Sequence, residues 1–296
     1  MKKFLLLLTF LTGQLMALNA QNLRESALGK FNNQEWESSI KDYLKYLKKN
    51  DGDSSDWYNV AIAHSRLAKH EEAIKYYTEA KERNYNSQFT HWGITKSYAI
   101  MKDEKNMLSS LKLGAENGLA TFALLQSDPA FADYQESREF KEALRKVELN
   151  AYPCLTNEDY RHFDFWLGEW DVYVQGNKVG QNSITMAKGG CAIHENYTTA
   201  RNYAGQSINF YDPIDQKWHQ HWVGSGGDTY NYLETQRGDG MLQFESEFMN
   251  PGGNITLSRL TFTLLDDGTV RQLFESSSDD GKTWTSAFDG IYKKKD

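Results

Sequence analysis

The chain has 296 residues, 40% hydrophobic and 25% charged, an ordinary folded composition with room for two domains. Its formal net charge of −7 argues against non-specific binding to nucleic acid or anionic lipid. No segment beyond the first 20 residues is apolar enough to cross a bilayer, so no membrane insertion is expected.

The N-terminus reads as a secretory signal peptide. Met1-Lys2-Lys3 is a basic start, Phe4 to Leu11 is a short apolar run, and Gln14 to Ala20 leads to a cleavage position after Ala20. No cysteine follows that run to carry a lipid anchor. Export to a periplasm or to the outside is therefore expected. Removing residues 1–20 leaves 31 basic against 40 acidic side chains, a net charge of −9. An oxidising compartment favours pairing of the two cysteines, Cys154 and Cys191, across a loop of roughly 37 residues. Two buried free thiols are the alternative.

Residues 22–150 carry a helical pattern that repeats. Trp36, Ser39, Ile40 and Tyr43 recur 34 residues later as His70, Ala73, Ile74 and Tyr77, and the next copy supplies Met107, Leu108 and Leu111. In the middle copy Trp57, Val60, Ala61, His64, Leu67, Ala73, Tyr77 and Ala80 follow a large-small-aromatic order, with Ala61 and Ala73 small enough for two helices to cross closely. This order at this period resembles the tetratricopeptide repeat. The outer copies are degenerate: the third has His91 for the tryptophan and Gly114 for the late alanine. Asp128-Pro129 ends one helix, and Ser137 to Val147 reads as a capping helix with Phe140, Leu144 and Val147 inward. The resemblance implies that a protein or peptide partner binds the repeats. The alternative is a spacer, or a platform for the chain's own C-terminal domain. The aromatic positions are expected to be core.

Residues 151–296 change character at Phe163-Asp164-Phe165-Trp166-Leu167-Gly168-Glu169-Trp170-Asp171-Val172. From Trp166 onward apolar and polar residues alternate with period two. Turn signals recur at Gly176-Asn177, Gly189-Gly190, Asp212-Pro213, Gly226-Gly227-Asp228, Asp239-Gly240, Pro251-Gly252-Gly253, Asp267-Gly268 and Asp280-Gly281. That spacing predicts an antiparallel barrel or sandwich of about nine or ten strands. The fold class is thus α + β in two domains, an all-α helical repeat followed by an antiparallel β-barrel. Gly168-Glu169-Trp170 resembles the Gly-x-Trp that opens the first strand of lipocalin-like (calycin) barrels. Gly190 to Glu195, Ser207 to Asp212 and Lys217 to Val223 extend the resemblance to a bacterial family of exported, calycin-like domains, which brings a fold and no established reaction. It implies that Trp170 plugs one end of the barrel, and Trp166, Gly168 and Trp170 are expected to be structural.

Strand alternation selects the candidate site. Ile193, Glu195 and Tyr197 share one face, as do Ser207, Asn209 and Tyr211, and Trp218, Gln220 and Trp222. If the tryptophan faces point inward, the lumen gathers Glu195, Asn209, Tyr211, Trp218, Gln220 and Trp222. Polar groups among aromatics are what a small-molecule pocket needs, whereas a merely packed lumen should be aliphatic. The alternative is that these groups bond one another or trapped water, leaving a filled scaffold.

His219 and His221 fall on the opposite face and are expected outside the barrel, so no metal is assigned. No histidine follows His221 to hold a haem, and no phosphate-binding loop or dinucleotide fingerprint is present, so no cofactor is expected. Ser277 to Trp284 fits the Asp-box pattern, read here as a hairpin turn over Trp284. No nucleophile with a base and no paired carboxylates stand out. The expected function is an exported, non-catalytic binding protein, with a partner on the repeats and a small amphipathic or polar ligand in the barrel. An enzyme using Glu195 as acid or base is the alternative.

Overall fold

The structure, a computed structural model, describes residues 19–249 and 255–295. The expected signal peptide, apart from residues 19 and 20, and the Pro251-Gly252-Gly253 turn lie outside the described residues. The chain divides into two units, residues 1–151 and 152–296. No described helix is long and apolar enough to cross a membrane.

The first unit is helical: α1 (residues 19–32), α2 (Trp36–Leu47), α3 (Ser54–Arg66), α4 (His70–Glu82), α5 (Ser87–Ile100), α6 (Glu104–Glu116), α7 (Phe122–Ser127) and α8 (Arg138–Ala151). Helices α2, α4 and α6 start 34 residues apart, which is the sequence period made visible. Small residues set the crossings. Ala61, Ala73 and Ala80 are fully buried, and a Cβ on Gly93 would come within 2.5 Å of the Tyr77 ring. Trp57, expected in the core, is only half-buried. Trp57 lies at the edge instead, stacked on Tyr76, its indole donating to the Asp51 carbonyl and the Arg83 guanidinium 4.2 Å from its ring. Arg24 bonds both carboxylate oxygens of the buried Asp56 at 2.9 Å, which ties α1 to the start of α3. Among the described residues, α8 closes the stack by burying Phe140, Leu144 and Val147.

The second unit is a closed, up-and-down barrel of ten antiparallel strands: β1 (Gly168–Val174), β2 (Asn177–Met186), β3 (Ala192–Thr199), β4 (Ala204–Asp212), β5 (Lys217–Gly224), β6 (Thr229–Gly238), β7 (Met241–Met249), β8 (Ile255–Leu264), β9 (Val270–Ser277) and β10 (Thr285–Lys294). Each strand pairs with the next, and β10 returns to β1 through Trp170 opposite Lys294. Closure leaves no edge strand. The β3–β4 turn carries none of the expected glycine signals; Asn202 supplies the positive φ there, at 62°.

The stretch that opens the barrel differs from the expected strand. Asp164–Trp166 is a 3-10 turn, and β1 begins only at Gly168. Phe163 and Trp166 stack at 4.8 Å and are fully buried with Trp170, whose indole donates to the Trp166 carbonyl at 2.9 Å. The segment is thus an aromatic plug laid across one end, with Phe262 and Phe244 beneath it. Gly168 allows the change of direction, at φ 142°. Cys154 and Cys191 are joined by a disulfide, which ties the segment preceding the plug to the start of β3.

Candidate functional site

The opposite end of the barrel is hollow. A cavity of about 210 Å³ opens between the β3–β4 and β5–β6 turns and reaches down to Glu195 and Gln220. Register fixes its levels. On β4 and β5, Tyr211 lies opposite Trp218, then Asn209 opposite Gln220, Ser207 opposite Trp222, and Gly205 opposite Gly224. All of these face inward, so the wall changes from large aromatics at the plug, through polar groups, to glycines at the mouth.

The glycines make room for the mouth. A Cβ on Gly205 would come within 2.0 Å of the Trp222 ring, and one on Gly224 within 2.1 Å of the Asp228 carboxylate. Trp222 therefore lies against bare backbone, and its indole donates to Asp228 Oδ2 at 3.1 Å. The Tyr203 hydroxyl donates to the same oxygen at 2.7 Å. Burial, with that carboxylate as its acceptor, pushes the Tyr203 phenol well above its ordinary value. The remaining wall is mostly aromatic, with Tyr230, Tyr232, Phe274 and Phe288 beside Tyr197 and Tyr292, and is completed by Leu260 and Gln272.

The floor is polar and internally bonded. Glu195 is 4% exposed; its Oε1 accepts from Asn182 Nδ2 and its Oε2 from Ser207 Oγ, each at 2.7 Å. Asn209 Nδ2 donates to Ser207 Oγ at 2.9 Å, and Gln220 Nε2 donates to Asn209 Oδ1 at 2.7 Å. These bonds form a chain across β2, β3, β4 and β5. Neither group bonded to Glu195 is charged. Burial accordingly pushes its carboxyl up from 4.5 to about 7, with the bonds from Asn182 and Ser207 offsetting part of the rise. Tyr197 and Tyr292 are raised as well, first by burial and then by the nearby Glu195.

Of the six residues selected by alternation, Glu195, Gln220 and Trp222 line the cavity. Asn209 lies just behind, fully buried, and positions Gln220. Tyr211 and Trp218 belong to the plug instead. Trp218 donates to the Asp159 carbonyl and meets Phe163 edge-on at 5.7 Å, and Tyr211 meets Tyr160 at 5.2 Å. Tyr203 and Asp228, in turns, and the lining residues of β6, β8, β9 and β10 were not among the six. Gly205 and Gly224, at inward strand positions, were the available signal for a close approach at the mouth.

Asp212, Asp215 and His219 can bring one ligand atom each within 4.8 Å of the others, on the outer side of the β4–β5 hairpin. Their bonds are those of a turn: Asp212 accepts from the Ile214 amide, Asp215 from the Lys217 amide, and His219 pairs with Asp215. His194 is exposed on β3 and is not part of this group. At the β9–β10 hairpin the Asp279 carboxylate accepts from the Thr283 hydroxyl and amide, which lowers its pKa to about 2, while Trp284 donates back to the Gly281 carbonyl.

Neither the scan against family models nor the search of curated proteins finds a match for this chain.

Proposed function

We propose that this chain is an exported, non-catalytic binding protein whose barrel holds a small ligand and whose helical repeats dock a protein or peptide. The observation that carries this reading is the cavity at the unplugged end, aromatic on its walls and polar at its floor. A barrel used only as a scaffold would fill that volume with side chains, as the plugged end does. The repeat period and the small-residue crossings support a tetratricopeptide-like array, and the Gly168-Glu169-Trp170 opening with the closed antiparallel sheet supports a calycin-like barrel. The basic-then-apolar N-terminus and the disulfide suit an exported protein.

Native mass spectrometry of the purified full chain tests the ligand reading. A co-purifying small molecule that is lost in Trp222→Ala, with the circular dichroism unchanged, is the expected result. A bare protein that also fails to bind a library of small amphipathic compounds would overturn it.

One feature favours acid–base catalysis as a second reading. The Glu195 carboxyl, near 7, has the proton affinity such work needs. Both of its oxygens are nevertheless engaged by Asn182 and Ser207. Conversion of the co-purifying molecule by wild type, abolished in Glu195→Gln, would move the protein to the enzymes.

A further inference from the structure

The cavity described above combines three features that bear on the charge of its occupant. Its floor holds a carboxyl group with no counter-charge. Glu195 is bonded only by a neutral amide and a neutral hydroxyl, and among the described residues no lysine, arginine or histidine lines the cavity. Its mouth holds a second carboxylate. Both bonds to Asp228, from Tyr203 and Trp222, fall on Oδ2. Between floor and mouth the walls are mostly rings, with Tyr230 stacked on Tyr232 at 5.6 Å and meeting Phe274 edge-on at 6.2 Å, and Leu260 and Gln272 as the other lining residues.

We propose that the ligand is a small organic ammonium ion, held by its charge between Glu195 and the aromatic walls with Asp228 at the entrance; this rests on the ligand-binding reading of the barrel. An anionic ligand would have to enter past Asp228 and settle against Glu195 with no cation to receive it. A neutral ligand would leave the buried carboxyl without a counter-charge, so that it is stable only when protonated. An ammonium ion supplies the missing charge and meets the negative faces of tyrosine, tryptophan and phenylalanine rings, which attract cations. The arginines of β8 and β9 do not alter this, because they are paired at outward strand positions, and Arg237 of β6 is paired with Glu234 at the plugged end. Arg259 lies with Glu275 and over Trp284, and Arg271 with Asp289.

Isothermal titration of the purified full chain with two ammonium probes and their neutral counterparts decides the matter. The pairs are choline with 3,3-dimethylbutan-1-ol, and n-butylamine with n-butanol. At least one ammonium probe should bind tenfold or more tightly than its neutral partner, and Glu195→Gln should abolish that preference. The glutamine is isosteric and removes a buried ionisable group, and an unchanged circular dichroism spectrum is required of the variant. Asp228→Asn, at the partly exposed mouth, should reduce the preference by about threefold and serves as a second variant. Neutral probes that bind as tightly as the ammonium ions would overturn the ammonium proposal while leaving a ligand-binding barrel in place. Binding of neither kind at millimolar concentration would overturn both.

Discussion

The two ends of the barrel are built from the same ten strands and differ in what occupies the inward positions. At one end Trp170, Trp218 and Phe262 pack with Phe163 and Trp166 of the plug, and all five are fully or almost fully buried. At the other, Gly205 and Gly224 face Trp222 and Asp228, and the volume stays open. The difference separates two tasks that a small barrel cannot perform at one place. Stability comes from filling the lumen, whereas binding needs a part of it left empty and lined with groups that are not satisfied by packing alone.

The largest expected effect comes from emptying the filled end. Trp166→Ala should destabilise the barrel by about 3–5 kcal/mol, as large-to-small aromatic changes in a core do. It should leave the helical unit intact. Urea unfolding followed by near-ultraviolet circular dichroism measures the loss; a change below about 1 kcal/mol would show that the plug is not what holds that end.

Next is the covalent tie of the same end. Replacing Cys154 and Cys191 together by serine frees a segment closed over a separation of 37 residues, which in the chain-entropy model costs about 3–4 kcal/mol. Thermal unfolding with and without reductant should show the same drop in wild type and none in the double variant.

The hollow end responds to pH through Glu195. In the unfolded chain its carboxyl ionises near 4.5, and in the folded chain at about 7. Below pH 4.5 the group is neutral in both states and contributes no pH dependence. Between those values the folded state keeps a proton that the unfolded state has lost, so stability falls as pH rises, by on the order of 3 kcal/mol once pH exceeds the folded value. Stability curves from pH 4 to 8 should slope less steeply in Glu195→Gln, and the variant should be the more stable protein at pH 8. Parallel curves would mean that the carboxyl is not held in an uncharged setting.

The smallest effect sharpens the comparison most directly. Gly205→Ala places a methyl group where the Trp222 ring lies, 2.0 Å away. The indole must swing off the strand and lose its bond to Asp228, at a cost of about 1–2 kcal/mol. Tryptophan fluorescence should shift, and affinity for any cavity ligand should fall more than stability does.

Much of this architecture was written locally. The 34-residue recurrence placed the helices because side chains that cross must be small at fixed offsets, and Ala61 and Ala73 are. Period-two alternation and paired turn residues placed most strands because side-chain direction in a strand is a property of the next residue only. Where that local signal was weak, the turn at Asn202 went unseen. Where alternation was read from Trp166 onward, the backbone still turns at Asp164–Trp166 and the strand starts at Gly168, since the plug must run across the barrel's end and not along its wall.

Alternation also told which residues face inward, but not how far along the barrel each lies. Trp218 and Trp222 share a face of β5, yet four residues at about 3.3 Å each put them roughly 13 Å apart. One belongs to the plug and the other to the mouth. Grouping them as a single pocket was the natural reading of the sequence, because height depends on the register of every strand with its neighbours. Asp228 and Tyr203 met Trp222, and Glu195 met Asn182 and Ser207, only once those registers were fixed. The sequence by itself determined the helices, most strands and the inward faces. Closure of the sheet decided which of those faces became core and which became cavity, because only the paired strands assign each inward residue its depth.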